Sequence, residues 1–202
     1  MSHPQTSEQA VLQLARKHPL LRARDLAREG LPTIALTRLV SAGKLERVGR
    51  GIYSLPNQAI SENRSLAEVA IRVPRGVICL VSALRVHDIG TQAPHEIWLA
   101  IPHRMLTPRL DKPALRVIRM SGPSLTEGID RLKVDRVEVS VFNAAKTIAD
   151  CFKFRNKIGL DVALEALKNA RAQRKASADD LWHFAKICRV ANVMRPYLEA
   201  IG

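Results

Sequence analysis

The chain has 202 residues, with 32 Lys and Arg against 19 Asp and Glu, which gives a formal net charge of +13 and a pI near 10.4. A content of 47% hydrophobic and 25% charged residues is ordinary for a globular protein and excludes wholesale disorder. Three widely spaced cysteines exclude a disulfide framework and the paired-cysteine zinc patterns. The apolar runs are strand-sized and residues 1–9 are polar, so we expect no membrane span, no signal peptide and a cytoplasmic location.

The first 56 residues have the pattern of three short helices followed by a β-hairpin. Apolar spacing and capping residues predict helices over 7–18, 22–28 and 33–42 and strands over 45–48 and 52–55. Three helices followed by a two-stranded hairpin indicate a winged helix-turn-helix. Since a pI above 9 is typical of nucleic-acid binding, this element is the candidate DNA-binding domain, residues 1–56.

The outward face of the third helix and the tip of the hairpin carry the side chains that DNA binding requires. Short hydroxyls recur at i, i+4 on this helix, and basic groups stand beside them; both can approach phosphates and base edges. An arginine flanked by two glycines occupies the hairpin tip, where it can reach a minor groove or a phosphate. The predicted DNA-binding residues are Thr33, Thr37, Arg38, Ser41, Lys44, Arg47 and Arg50. The alternatives are a generic three-helix core with a decorative hairpin and a winged helix that binds protein.

Beyond a polar stretch at 57–65, predicted to be a linker, the second domain covers 66–202 and has its own excess of positive charge. It is predicted to be a mixed α/β domain ending in a helical bundle, so that the whole chain is α+β. Its predicted helices are 66–73, 83–88, 143–155, 161–172, 177–190 and 192–200, and its predicted strands are 77–81, 95–101, 115–120 and 134–142.

A search for catalytic chemistry finds no phosphate-binding glycine loop, dinucleotide fingerprint, zinc-protease helix or nucleophile elbow in the sequence. His87 with Asp88, His95 with Glu96, and the span 146–150 each have an ordinary explanation as a helix end, a strand edge or an i, i+4 ion pair. We therefore predict no catalytic residue, no metal and no cofactor. The three cysteines, which lie in apolar runs, are predicted to be buried thiols: Cys79, Cys151 and Cys188.

Basic residues recur between positions 153 and 175, interrupted by Asp161 and Glu165. They are either a solvated helix surface or a second surface that contacts phosphates or an acidic partner. The residues concerned are Lys153, Arg155, Lys157, Lys168, Arg171, Arg174 and Lys175.

Several segments resemble the AbiEi-type transcriptional regulators, the antitoxins of type IV (abortive infection) toxin–antitoxin systems. They are LERVGRGIY at 45–53, VSALRVH at 81–87, EIWLAIP at 96–102 and, most specifically, VFNAAKTIADCFKFR at 141–155. The resemblance implies a bacterial repressor of its own operon that binds inverted repeats in promoter DNA. It also implies functional opposition to a nucleotidyltransferase-like toxin without a stable complex.

Three classes of function compete at this point. The first is an operator-binding repressor and antitoxin, with a solitary regulator of the same architecture as its variant. The second is a nuclease or nucleotidyltransferase acting on nucleic acid, against which the missing metal-binding carboxylate cluster counts. The third is a protein-interaction module, for which the positive charge of both domains offers no support.

Overall fold

The computed structural model describes residues 6–56, 63–110 and 112–200. The chain divides into two compact units: an N-terminal unit, Met1–Glu68 with Lys133–Val137, and a C-terminal unit, Val69–Leu132 with Glu138–Gly202. Both helices and sheets are present, so the fold is mixed α and β, as expected. Across the described ranges, no helix is long and apolar enough to cross a lipid bilayer. Positions 57–62 of the predicted linker lie outside the described residues.

Three helices and a three-stranded sheet make up the N-terminal unit. In chain order its elements are α1 (Ser7–Lys17), β1 (Leu21–Arg22), α2 (Ala23–Arg28), α3 (Ile34–Ser41), β2 (Glu46–Gly49) and β3 (Ile52–Ser54). The strands are antiparallel in the order β1-β3-β2. Buried Val11, Leu21, Leu26, Leu36 and Leu39 form the centre of a core to which all three helices contribute.

Local sequence explains where these helices begin and end. The hydroxyl of Thr6 accepts a hydrogen bond from the amide of Gln9, and the Gln9 side chain accepts one from the Thr6 amide, which completes a capping box and confirms the predicted start of α1. Gly30 (φ +66°) and Gly43 (φ +66°) follow α2 and α3 in the left-handed conformation that glycine tolerates best. Strand β1 is not predicted, because two residues leave no periodic pattern to detect.

The C-terminal unit contains a five-stranded sheet and most of the helices. Helix α4 (Arg64–Arg72) crosses the boundary between the units along the chain, beginning two residues before the predicted position. The remaining elements are β4 (Val77–Ile78), α5 (Leu80–Val86), β5 (Ile97–Pro102), β6 (Leu115–Met120), α6 (Pro123–Thr126), β7 (Ile129–Val134), β8 (Val137–Phe142), α7 (Ala144–Lys153), α8 (Arg155–Ile158), α9 (Leu160–Ala172), α10 (Ala178–Ile187) and α11 (Ala191–Ala200).

The sheet has the strand order β6-β5-β4-β8-β7. Strand β4 pairs antiparallel with β5 and parallel with β8, while β5 and β6 are parallel. Helix α7 packs against α5, α9 and α10. Its residues Ile148 and Phe152 lie in the core. Helix α7 begins next to its predicted start at 143, where the Asn143 side chain accepts a hydrogen bond from the Lys146 amide at 2.9 Å.

Two predictions for this unit are wrong. The single strand predicted over 134–142 is the end of β7, a turn, and β8; Asp135 (φ +48°) and Arg136 (φ +63°) form the turn without a glycine to mark it. The strand predicted over 77–81 ends at Ile78, and the helix predicted over 83–88 begins earlier, at Leu80, so that Ser82 lies inside α5. The Ser82 hydroxyl accepts a hydrogen bond from the Trp98 amide at 3.0 Å, so it links this helix to β5.

Candidate nucleic-acid interface

The exposed face of α3 is a narrow stripe of four residues. Ile34, Thr37, Arg38 and Ser41 are all exposed, and their spacing of i, i+3, i+4 and i+7 places them within an arc of about 100° on the helix. The opposite side of the helix is buried in the core of the N-terminal unit. Thr33, the residue before the helix, is also exposed, and its side chain makes no capping hydrogen bond.

The three remaining predicted residues follow α3 in the chain. Lys44, Arg47 and Arg50 are exposed. The pairing of β2 with β3 shifts register between Arg47 and Gly49, and the Arg47 Nε donates to the Gly49 carbonyl at 3.3 Å. Gly51 has φ +69°, a conformation that lets the chain turn tightly beside Arg50. A bulge of this kind increases local strand twist and can redirect side chains. All seven predicted residues therefore belong to one unit and face solvent; their contact with DNA stays a prediction.

Asp25, a carboxylate of the same unit, is engaged by Arg22 and does not pair with these cations. Asp25 accepts two hydrogen bonds from the Arg22 guanidinium at 2.8 and 2.9 Å and one from the Arg22 amide. Partial burial would raise the pKa of Asp25, but the hydrogen bonds and positive charge of Arg22 outweigh it and lower this pKa. Among the described residues, Arg38, Lys44 and Arg50 have no ion-pair partner, so their charges remain available to an external anion.

A buried arginine anchors the base of the β2–β3 hairpin. Arg64, only 8% exposed, donates from Nη2 to the Ser54 hydroxyl at 2.7 Å, and that hydroxyl donates to Glu46 Oε1 at 2.9 Å. The Arg64 guanidinium also lies 3.7 Å from Glu46 and 3.6 Å from Glu68. The sequence places Arg64 in a linker, because nothing in its neighbours signals a partner ten residues earlier on a strand.

The seven residues of the predicted second basic surface all lie in the C-terminal unit, from the end of α7 to the turn after α9. Lys153, Lys157 and Lys168 are exposed. Arg155 donates to the Phe152 carbonyl at 2.9 Å, and Lys175 donates to the carbonyls of His87 and Asp88 at 2.6 and 3.0 Å. These two side chains therefore also stabilise helix ends, and a common role for the seven stays a prediction.

The candidate catalytic pairs of the C-terminal unit form structural interactions. Lys146 and Asp150 form a fully buried i, i+4 ion pair at 2.5 Å, and Lys146 also lies over the Phe142 ring. Glu96 pairs with Arg116, and the His87 Nε2 lies 2.6 Å from the Phe142 carbonyl. Within the part of the chain that the structure describes, no group of three or more His, Cys, Asp or Glu is placed to hold a metal ion.

The three cysteines are buried and unpaired, which confirms the prediction for them. Burial raises the pKa of Cys188 to about 12, helped by the nearby charge of Asp150, whose Oδ1 accepts a weak hydrogen bond from this thiol. Burial likewise raises the pKa of Asp150 itself, against the opposing charge of Lys146. A thiol in such surroundings stays protonated and is a poor nucleophile.

One shallow pocket of about 340 Å³ in the C-terminal unit lies between His87, Asp130, Asn143, Lys175 and Asp180. Its charged groups are of both signs, and its lysine already donates to two backbone carbonyls. This composition does not point to one class of ligand.

Comparison with known proteins finds a family similarity in the N-terminal segment. Residues 9–56 match the family model described as "Transcriptional regulator, AbiEi antitoxin", which confirms the resemblance to AbiEi-type regulators over the N-terminal segment, from within α1 to just beyond β3. No curated protein matches the chain. The structure is similar to the crystal structure of the RV2827C protein from Mycobacterium tuberculosis, with a TM-score of 0.64 and 15% sequence identity over 92% of this chain and 73% of that chain. Similarity at this identity shows a shared fold.

Proposed function

We propose that the chain is a sequence-specific DNA-binding repressor of its own operon and the antitoxin of a type IV toxin–antitoxin system. In this proposal residues 1–56 form a winged helix-turn-helix and 66–202 a regulator domain that ends in a helical bundle. The linker expected over 57–65 gives way to α4 at Arg64. The protein acts in the bacterial cytoplasm and needs no cofactor.

The observation that carries the DNA-binding part of the proposal is the exposed stripe on α3. In a helix-turn-helix the second helix of the motif lies in the major groove and its N-terminal residues contact base edges. In this proposal helices α2 and α3, joined through Gly30, are the two helices of that motif, and Arg38 would donate two guanidinium hydrogen bonds to a guanine. The wing residues Arg47 and Arg50 would contact the flanking phosphates or minor groove.

The antitoxin part of the proposal rests on the family match of residues 9–56. The C-terminal unit would oppose a nucleotidyltransferase-like toxin without forming a stable complex with it. Its buried ion pair and buried thiols are consistent with a non-enzymatic role, because none of these groups faces a substrate.

Footprinting with the full chain on the DNA upstream of its own reading frame tests the proposal. We expect protection of an inverted repeat and a preference for that duplex over a scrambled duplex of the same composition by about a thousandfold or more, as is typical of specific over non-specific binding. Equal affinity for both duplexes would contradict sequence-specific repression. Cleavage or nucleotide addition on either duplex would favour the enzymatic alternative.

A further inference from the structure

The exposed stripe on α3 begins with an isoleucine. Ile34 is 56% exposed, and among the described residues the other exposed large apolar side chains are Leu106 and Leu160, both in the C-terminal unit. It is flanked on the helix surface by Thr37, Arg38 and Ser41. An isolated exposed apolar side chain is ordinary on a protein surface. This one stands at the N-terminal end of a stripe whose other members are a cation and two hydroxyls.

The position of Ile34 within the helix directs its side chain. It is the first residue of α3, and helical side chains lean toward the N-terminus of their helix. The side chain therefore extends over the N-terminal end of α3, the part of a recognition helix that contacts base edges. Ala35, Leu36 and Leu39 are the buried residues of this helix, and more than half of the Ile34 surface is left facing solvent.

The charged residues near Ile34 indicate what kind of partner this face would bind. Arg38 and Lys44, both without an ion-pair partner among the described residues, give this face a positive charge that favours a polyanion over an apolar protein surface. In the major groove of DNA, the C5 methyl group of thymine is the apolar feature that a side chain can contact.

We infer that Ile34 is a specificity-determining residue whose side chain packs against the C5 methyl group of a thymine in the operator. The inference rests on the proposed function, because it requires α3 to lie in the major groove. It adds a base preference that hydrogen-bonding groups alone would not supply. The sequence pattern does not reveal it, since an apolar residue at this spacing is normally assigned to the core.

Replacing thymine by deoxyuridine in the bound DNA tests the contact, because this change removes the methyl group and leaves the base-pairing and hydrogen-bonding edges intact. A preferred duplex is first selected from a random library with the full chain, and each thymine is then replaced in turn. We expect one thymine in each half-site at which the replacement weakens binding of the wild-type chain about fourfold, the factor that corresponds to one methyl-sized group losing its burial.

Variants of Ile34 connect the methyl group to the side chain. Ile34→Ala should bind the thymine duplex several-fold more weakly than the wild-type chain and should lose nothing further when that thymine becomes deoxyuridine. Ile34→Val, which keeps the branched carbon, should retain most of the deoxyuridine effect. Leu106→Ala, a truncation of an 88% exposed apolar residue in the C-terminal unit, should behave as the wild-type chain on both duplexes.

Each other outcome has a definite meaning. If the chain selects a sequence but is indifferent to deoxyuridine at every position, the thymine contact is wrong and the proposed function stands. If Ile34→Ala weakens binding to both duplexes equally and turns a dimer into a monomer in sedimentation, Ile34 joins two copies of the chain and the inference is overturned. If the chain selects no sequence at all, the proposed function fails and the contact fails with it.

Discussion

Charged side chains in the N-terminal unit serve two different purposes. Arg22 and Arg64 are held by carboxylates and a hydroxyl of the same unit, where they stabilise the start of α2 and the base of the hairpin. Arg38 and Arg50 are exposed, and within the described residues neither has an ion-pair partner. The paired arginines are part of the fold, and the unpaired ones are those that can bind phosphate or a base.

Asp25 gives the stability of this unit a pH dependence. Because its pKa is lowered in the folded chain, Asp25 stabilises the unit above its ordinary pKa of 3.8, and this contribution is lost as the pH falls through the lowered value. We expect the wild-type chain to be more stable than Asp25→Asn at about pH 6, with the difference shrinking toward about pH 3. Hydrogen exchange of peptides from 6–56, corrected for intrinsic rates, measures this difference.

Two controls accompany the Asp25 experiment. Glu29→Gln removes an exposed carboxylate at the end of the same helix and should leave the exchange unchanged. Trp98 and Trp182 both lie in the C-terminal unit, so their fluorescence should report an unfolding transition that is the same in Asp25→Asn and the wild-type chain. A difference between Asp25→Asn and the wild-type chain that is constant with pH, or that grows in acid, would contradict this account of Asp25.

The β2–β3 hairpin depends on α4 for its attachment. Removing the Arg64 guanidinium leaves the buried Ser54 hydroxyl without its donor and Glu46 without its nearby cation, which should cost about 1–3 kcal/mol. We therefore expect Arg64→Met to destabilise the N-terminal unit by that amount and to speed hydrogen exchange most strongly in β2 and β3.

Arg16→Met is the matched control for Arg64→Met, because it removes an exposed guanidinium from α1 and should change stability by less than about 0.5 kcal/mol. If Arg64→Met leaves exchange in the hairpin as slow as in the wild-type chain, the buried network does not hold the hairpin and its position depends on the core alone.

Local signals in the sequence account for most of the elements. Strand β6 has the predicted bounds, and α7 and α10 begin next to their predicted starts, where Asn143 and Ser177 cap them, because alternation and capping act over a few residues. The sequence over 134–142 does not predict the turn at Asp135 and Arg136, because this turn contains no glycine or proline. The alternation of apolar and polar residues is only shifted there, which is compatible with one irregular strand.

The sequence likewise predicts part of the candidate site. Polarity and helical spacing identified seven residues that are exposed in the structure. The Arg64 network could not be predicted, because it depends on a contact between residues ten positions apart that have no shared pattern. Ile34 was not identified as a surface residue, because hydrophobicity alone does not show on which side of a short helix an isoleucine lies.

The net charge of +13 is distributed over both units, so the C-terminal unit can also contribute to DNA affinity. If the wing, α3 and the basic residues from 153 to 175 together neutralise six or more phosphates, affinity should fall by about 10³ or more between about 50 and 200 mM salt. Replacing Lys153, Lys157 and Lys168 with glutamine should then make the slope of log affinity against log salt shallower. The reduction should correspond to the loss of up to about three phosphate contacts.

The control for the triple lysine variant is a second triple variant that removes the same charge from exposed positions elsewhere in the C-terminal unit: Arg104→Gln, Arg109→Gln, Lys112→Gln. It should lower affinity only through the smaller net charge. Equal salt slopes for the two triple variants would mean that the residues from 153 to 175 face solvent and do not contact DNA.

The central claim is that α3 reads bases while the hairpin tip binds the backbone. Titrations of the operator duplex and a scrambled duplex with Arg38→Ala and Arg50→Ala test it most directly. Arg38→Ala should lose about 1–3 kcal/mol on the operator and little on the scrambled duplex, so the preference between them flattens. Arg50→Ala should weaken both duplexes by similar factors and reduce the salt slope by about one contact. If Arg38→Ala instead weakens both duplexes equally, α3 does not read the sequence and the account is wrong.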